Sequence, residues 1–186
     1  RVKRPGHCAG RFGVGNPVEA RMKFNALQKR LALVFEDNGT GGAQERYADV
    51  DGKALAPLVS AYIGDAYFHL FVRERLLSYE QSRVQVLNQF SARIVSAVWQ
   101  ARAYQAIEPM LTAEERDVFR RGRNAPSHAP RAASVQEYHI STGFEALLGT
   151  LYLTRQFARL QEVAEASFQA ISRQMMAERR EKKGED

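Results

Sequence analysis

The sequence predicts an all-α protein. Apolar residues recur at intervals of three, four and seven along most of the chain, which is the spacing of one helix face. No segment shows a convincing alternation of apolar and polar residues, the pattern of a half-buried strand. Glycine, proline and asparagine residues separate the periodic segments, as expected between packed helices.

Length and composition restrict the class of protein. The chain has 186 residues, of which 45% are hydrophobic, enough for one well-packed domain and short for two. It has no apolar run near the roughly 20 residues that span a bilayer, and its start lacks the hydrophobic segment of a secretory signal. The single cysteine, Cys8, excludes an internal disulfide and a cysteine-rich zinc site. We expect a cytoplasmic protein.

Four parts are predicted along the chain. Residues 1–21, rich in glycine and arginine, form a disordered leader of uncertain origin, because the first methionine is Met22. Residues 22–52 contain an N-terminal helix and a flexible connector. Residues 53–172 form a helical domain, and residues 173–186 form a charged C-terminal tail that we expect to be frayed.

The first helix of the domain is predicted from Ala54 to about Leu77, with Pro57 tolerated in its first turn. One long core helix follows over residues 82–111. Its predicted core residues are Val84, Leu87, Phe90, Ile94, Val98, Trp99, Ala101 and Tyr104.

Shorter elements follow. Thr112 and Glu115 match a capping box, which predicts a helix of about two turns closed by Gly122. Two prolines predict an extended loop over residues 124–139. Strong helical periodicity then returns until about residue 172.

Asp65 stands out because its helical neighbours are apolar. The residues three, four or seven positions away are Leu58, Tyr62, Phe68 and Val72. A buried, unpaired carboxylate there would cost several kcal/mol, so Asp65 must be neutralised, hydrogen-bonded, paired with a cation or bound to a metal. The alternative to a functional role is a buried pair with Arg73 or Arg93.

Glu145 occupies a similar setting, within "TGFEALLGTLYL". Gly64 beside Asp65 and Gly149 one turn after Glu145 would let two helices approach closely, so that the two carboxylates face each other. Two such acids suit Mg²⁺, which can activate water and stabilise charge on a phosphate. Alternatively, Glu145 follows Thr142 by three residues, so that a capping box would explain it.

The positive charge is concentrated in one segment. The chain carries 27 Lys and Arg against 21 Asp and Glu, a formal charge of +6, and residues 118–136 contain no acid. We expect the loop "RRGRNAPSH" to bind phosphate, since the planar guanidinium group can bind two oxygens; the alternative is an ordinary solvated surface. His69, four residues after Asp65, could orient a ligand or a water molecule, although it and His139 are also readily explained as core histidines.

Four motifs carry a family resemblance. "AYIGDAYFHLFVRERLL", "VSAVWQARA", "LTAEERDVFRRGRNA" and "VQEYHISTGFEALLGTLYL" follow one another as they do in Mini-ribonuclease III, small bacterial relatives of ribonuclease III that lack its double-stranded RNA-binding domain. The resemblance covers about Leu55 to Leu160. Several motifs in register make it far more specific than any one of them.

This resemblance implies a homodimer with the all-helical ribonuclease III endonuclease fold. It implies cleavage of double-stranded RNA that needs Mg²⁺, with Mn²⁺ as a substitute, and that leaves 5′-phosphate and 3′-hydroxyl ends. Asp65 and Glu145 would be the catalytic, metal-binding acids. The residues expected to bind RNA are Arg120, Arg121, Arg123, Asn124 and His128. The expected substrate is the precursor of 23S ribosomal RNA, matured at both ends, with a ribosomal protein helping to present it.

The chain departs from larger ribonuclease III enzymes at two positions. They have acids where this chain has Ala61 and Thr142, which implies fewer protein ligands and leaves the metal count open. His69 also stands where Mini-ribonuclease III commonly has glutamate. Two other interpretations therefore stay open, a non-catalytic RNA-binding or ribosome-associated protein on the same fold, and a dimerisation module with incidental charge.

Overall fold

A computed structural model describes residues 50–81, 83–126 and 134–184 of the protein. The leader and the helix predicted from Met22 lie outside the described residues. All regular secondary structure in these three ranges is helical, which confirms the predicted all-α class. Within the same ranges, no helix has the length and apolar character needed to cross a bilayer. The division of the chain into four parts stays a prediction.

The described residues from 51 onward belong to one compact unit. Its helices are α1 (Pro57–Leu76), α2 (Val84–Ile94), α3 (Ala97–Ile107), a 3₁₀ turn (Glu108–Met110), α4 (Ala113–Arg123), α5 (Val135–Leu153) and α6 (Phe157–Gly184).

Helix α5 lies at the centre and packs against α1, α3, α4 and α6. It is apolar on nearly every side, as expected for a helix that is surrounded by others. Phe144 of α5 meets Phe68 of α1 edge to face, with ring centroids 5.2 Å apart, and both side chains are fully buried. The core is therefore built around the α1–α5 contact.

The prediction of one long helix over residues 82–111 is wrong, because two helices, α2 and α3, occupy most of that range. The chain turns at Val95 and Ser96, and Ser96 is extended with ψ 153°. Trp99 and Tyr104 are buried as predicted. Phe90, predicted to lie in the core, is instead 56% exposed and lines a groove with Ile94 and Phe168.

Two capping boxes set the starts of α4 and α5. The predicted box at Thr112 and Glu115 is present. Helix α4 continues past Gly122 to Arg123, and Gly122 packs against α5 instead of closing the helix. A second box, at Ser134 and Glu137, begins α5 at Val135, so the last residues of the predicted loop are helical.

Helix α6 continues to Gly184, where we expected a frayed tail from residue 173. Its last turns are held by ion pairs: the Glu178 carboxylate accepts a hydrogen bond from Arg102 of α3. The Arg102 guanidinium group also lies 4.6 Å from the ring centroid of Trp99. The extension of α6 is therefore docked on α3 through the ion pair between Arg102 and Glu178, and the Trp99 ring supports the arginine from within α3.

Candidate active site

Helices α1 and α5 cross in backbone contact at two glycines. A Cβ atom built on Gly64 would lie 1.9 Å from the carbonyl oxygen of Glu145. One built on Gly149 would lie 1.8 Å from the carbonyl oxygen of Ser60. Real Cβ atoms do not approach backbone so closely, so any other residue would push the helices apart. The predicted close approach is confirmed, and it brings the segments of Asp65 and Glu145 together.

Glu145 lies in the middle of α5. The Thr142 hydroxyl donates to the carbonyl oxygen of Tyr138 at 3.0 Å, and α5 begins seven residues earlier, so a capping box of Thr142 with Glu145 is excluded. Burial raises the pKa of Glu145 to about 8, and the negative charge of Asp65 adds to that effect. The two acids therefore lie close enough to repel each other.

Asp65 is less buried than its sequence neighbours predicted. Its side chain is 48% exposed, and the reason is that Leu58 and Tyr62, two of the four apolar neighbours, also face solvent. Nε2 of His69, one turn along α1, lies 3.3 Å from its Oδ1 atom. Among the described residues no ion pair joins it to Arg73 or Arg93. The expectation of a deeply buried acid is therefore wrong, and a buried arginine pair is not observed.

The two carboxylates form a small donor set. The described ranges contain no group of three or more His, Cys, Asp and Glu side chains that could hold a metal ion. Neither Ala61 nor the internally bonded Thr142 hydroxyl adds a ligand. Mg²⁺ is commonly bound through one or two carboxylates and keeps several waters, and it would relieve the repulsion between Asp65 and Glu145. The residues present therefore fit this ion.

Gln100 of α3 is a neighbour of Glu145 that sequence reasoning missed. Its side chain is 1% exposed, and its Nε2 donates to the carbonyl oxygen of Val95 at 3.0 Å. The polar side chain of Gln100 opposes the rise in the pKa of the Glu145 carboxyl group. The available signal was a single amide within the otherwise apolar stretch "VSAVWQA".

The basic residues predicted on a loop lie on a helix. Arg120, Arg121 and Arg123 occupy the last turn of α4 and are exposed, and Asn124 caps that helix. The Arg120 guanidinium group is paired with Asp117 at 2.7 Å. His128 lies outside the described residues.

Gly122 packs the last turn of α4 against α5. A Cβ atom built there would lie 2.6 Å from Cβ of Ala146 and 3.0 Å from Cα of Gly143. The last turn of α4 is thus pressed against the part of α5 that carries Glu145. The basic end of α4 and the acid Glu145 therefore lie on neighbouring helices, an arrangement that suits binding and cleaving a phosphodiester.

His139 lies beside the same basic turn. With Arg123, Asn124, Gln136 and Ile140 it lines a cavity of about 480 Å³. Its Nδ1 atom is buried and has no hydrogen-bond partner among the described residues. The predicted core histidine is thus half-buried at the wall of a polar cavity.

Comparisons with known proteins agree with this geometry. Residues 58–156 match the Ribonuclease III domain family. A Mini-ribonuclease 3 of Symbiobacterium thermophilum is 50% identical over 120 residues, which are 64% of this chain and 92% of that protein. A Mini-ribonuclease 3 of a Thermoanaerobacter species is 42% identical over 119 residues, 63% of this chain and 84% of that protein. A crystal structure of a Fusobacterium nucleatum protein, 27% identical, superimposes with a TM-score of 0.56 over 60% of this chain and 90% of that one.

Proposed function

The chain belongs to the Mini-ribonuclease 3 branch of the ribonuclease III domain family and is an endoribonuclease, and from this premise we propose that it matures precursor 23S ribosomal RNA as a Mg²⁺-dependent homodimer. Double-stranded RNA is the substrate class of the family. The finer assignments are the site residues, the metal, the dimer, the precursor RNA and its cytoplasmic location. The contacts of the described residues and the resemblance to Mini-ribonuclease III support these assignments.

The carboxylate pair carries the proposal for the catalytic site. Asp65 and Glu145 would hold the metal ion, because they interact electrostatically across the glycine crossing and have few other ligands beside them. When bound, the ion lowers the pKa of a coordinated water and offsets the negative charge of the phosphate. The rigid crossing fixes the two acids, so little reorganisation is needed before reaction.

The exposed arginines supply the phosphate contacts. Arg121 and Arg123 lie on the last turn of α4, which packs through Gly122 against Gly143 and Ala146 of α5. Duplex RNA is recognised mostly through its shape, its phosphates and its 2′-hydroxyl groups. We therefore expect weak, salt-sensitive binding with little sequence preference, and presentation of the substrate by the folded precursor or a ribosomal protein.

A second copy of the chain is proposed to cover the outer face of α1. Val59, Tyr62 and Leu70 lie on one side of this helix and are exposed, although they are apolar or aromatic. Such a face on the helix that carries Asp65 suits a symmetric interface, in which the same patch is used on both subunits. Two sites near one interface would cut the two strands of a duplex.

One observation favours the non-catalytic alternative. Nε2 of His69 lies 3.3 Å from Oδ1 of Asp65, so the acid proposed to hold the metal ion already has a side-chain partner. A protein in which His69, and not a metal ion, holds Asp65 would keep the basic turn of α4 and bind RNA without cutting it.

Cleavage of an end-labelled RNA duplex with a few unpaired bulges decides between the two. The wild type is compared in Mg²⁺ and in EDTA with Asp65→Asn and Glu145→Gln. We expect Mg²⁺-dependent cuts on both strands that disappear in both folded variants and leave 5′-phosphates. A wild type that binds several duplexes and cuts none, in Mg²⁺ or Mn²⁺, would establish the binding protein instead. Precursor 23S RNA is then used to test for cleavage at the mature ends.

A further inference from the structure

We propose that the groove between α2 and α6 binds an acidic amphipathic helix of a partner protein. The groove has a volume of about 560 Å³. It is separate from the proposed catalytic site, since it shares no residue with the carboxylate pair or with the basic turn of α4. Three helices contribute its apolar residues, which are Leu76, Phe90, Ile94, Phe168, Met175 and Met176.

The wall of the groove on α6 has the length of a short helix. One stripe of α6 contains Phe168, Ser172, Met175, Arg179 and Lys182, at intervals of four, three, four and three. At about 1.5 Å per residue this stripe is about 21 Å long, which matches a bound helix of about four turns. The match to the Ribonuclease III domain ends at residue 156, so this wall lies outside it.

Large apolar side chains in the groove are open to solvent. Phe90 is 56% exposed and Met176 is 49% exposed. A contiguous apolar surface of this kind marks a site at which another molecule buries it. Methionine is unbranched and flexible, so it adapts to the apolar face of a helix laid against it. The floor of the groove therefore suits a helix with apolar residues along one side.

The charges that line the groove favour an acidic partner. The one acid among the lining residues is Glu178, and the cations are Arg93, Arg179 and Lys182. The Glu178 carboxylate is already engaged, because it accepts a hydrogen bond from Arg102 and lies 4.0 Å from Arg93. Arg179 and Lys182 form no ion pair with an acid among the described residues. Acidic residues beside the apolar face of a partner helix would complement this cationic rim.

Two other occupants fit the groove less well. A symmetric contact with a second copy of the chain would place this patch against itself and bring its cations together. Duplex RNA presents phosphates, sugars and base edges, which leave the apolar floor without a partner. An acidic amphipathic helix suits both the floor and the rim.

The test measures how a fluorescein-labelled helical peptide binds the full chain, by fluorescence anisotropy in EDTA. The peptide is about 16 residues long, with leucine along one helix face and glutamate at the other positions. The same peptide with lysine in place of every glutamate tests the effect of charge. Reversal of the rim is tested with Arg179→Glu, Lys182→Glu. Its matched control is Arg173→Glu, Arg180→Glu, because these arginines are exposed on the same helix outside the groove.

A second variant tests the apolar floor. Phe90→Ala removes an exposed aromatic ring from the groove without disturbing the buried core. Val84→Ala is its control, since Val84 is exposed on the same helix and does not line the groove.

We expect wild type to bind the glutamate peptide at least about tenfold more tightly than the lysine peptide. Reversing the rim should weaken binding of the glutamate peptide by at least about tenfold, since like charges would then face each other. Phe90→Ala should weaken it by about fivefold or more. Both control variants should bind the peptide as wild type does. An unlabelled RNA duplex should not displace it, because the proposed phosphate contacts lie on α4.

Several results would overturn the proposed groove partner. They are no binding of the glutamate peptide by wild type, equal binding of the two peptides, and equal binding by the rim variant and its control. Displacement by the RNA duplex would show that the peptide occupies the phosphate-binding surface instead. A Phe90→Ala variant that is monomeric where wild type is dimeric, by light scattering, would assign the groove to a second copy. RNA cleavage is measured separately, so none of these results affects the proposed function.

Discussion

Gly64 and Gly149 face each other across the crossing of α1 and α5, and a Cβ atom built on Gly64 would lie 2.7 Å from the backbone nitrogen of Gly149. Each glycine therefore allows the other helix to approach to backbone contact. Asp65 follows the first glycine directly, and Glu145 precedes the second by one turn. The separation of the two carboxylates is thus set by main-chain packing, which is stiffer than side-chain contacts alone.

Replacing Gly149 with alanine should separate these helices. The new methyl group would meet the Ser60 carbonyl group, which cannot move without moving α1, so we expect a loss of about 3 kcal/mol or more in the free energy of unfolding. Urea denaturation measures this loss. Gly184→Ala is the control, because no atom lies within 4 Å of a Cβ atom built there. Equal stability of the two variants would contradict the close crossing.

The stability of the metal-free protein should fall as pH rises from about 4.5 to about 8. In this range folded Glu145, with its pKa raised to about 8, keeps a proton that the unfolded chain has released. Each pKa unit between the folded and the unfolded state corresponds to about 1.4 kcal/mol in the free energy of unfolding. The full stabilising effect is present below the pKa that Glu145 has in the unfolded chain. Urea denaturation at several pH values measures the slope.

Glu145→Gln provides the control for this slope, since its side chain does not titrate. The variant should lose this part of the pH dependence and be the more stable protein at pH 8. Added Mg²⁺ should stabilise wild type more at pH 8 than at pH 5, because only the ionised carboxylate is a good ligand. A variant with the wild-type slope would show that another group is responsible.

Features that depend on neighbouring residues in the chain were predictable. The capping box at Thr112 follows from two residue types three positions apart, and the α1–α5 crossing from glycines beside two acids in apolar segments. Both signals are local and chemical. They were sufficient for the helical class and for the pairing of Asp65 with Glu145.

Features that depend on what packs against a helix were not predictable. The turn at Val95 and Ser96 contains no glycine or proline, so periodicity alone joined α2 and α3. The spacing of Phe90 and Tyr62 places both on apolar helix faces, yet both are exposed. Spacing identifies an apolar face but does not show whether another helix covers it. Gln100 was missed for a related reason, since a single amide in an apolar run becomes informative only when its buried partners are known.

Arg121 and Arg123 of α4, which form no ion pair with an acid among the described residues, should account for part of the salt dependence of RNA binding. Removing a phosphate contact lowers the slope of log K against log salt by about 1, so the double variant Arg121→Ala, Arg123→Ala should lower it by about 2. The loss of affinity should be similar for duplexes of different sequence. Fluorescence anisotropy in EDTA measures binding without cleavage.

Arg173→Ala is the control for this measurement, because Arg173 is exposed on α6 and is equally charged. Its slope should equal that of wild type. If the α4 variant keeps the wild-type slope and the Arg173→Ala variant does not, the RNA follows a different surface.

The outer face of α1 should hold the dimer together. Tyr62 is 76% exposed and Leu70 is 58% exposed in the single chain, and a carboxylate at either position would be buried without a partner in a symmetric interface. We expect Tyr62→Asp, Leu70→Asp to be a folded monomer where wild type is a dimer, as measured by light scattering after size exclusion. Tyr79→Asp, equally exposed but beyond the end of α1, should remain dimeric. A dimeric α1 variant, or a monomeric wild type, would exclude this face as the interface.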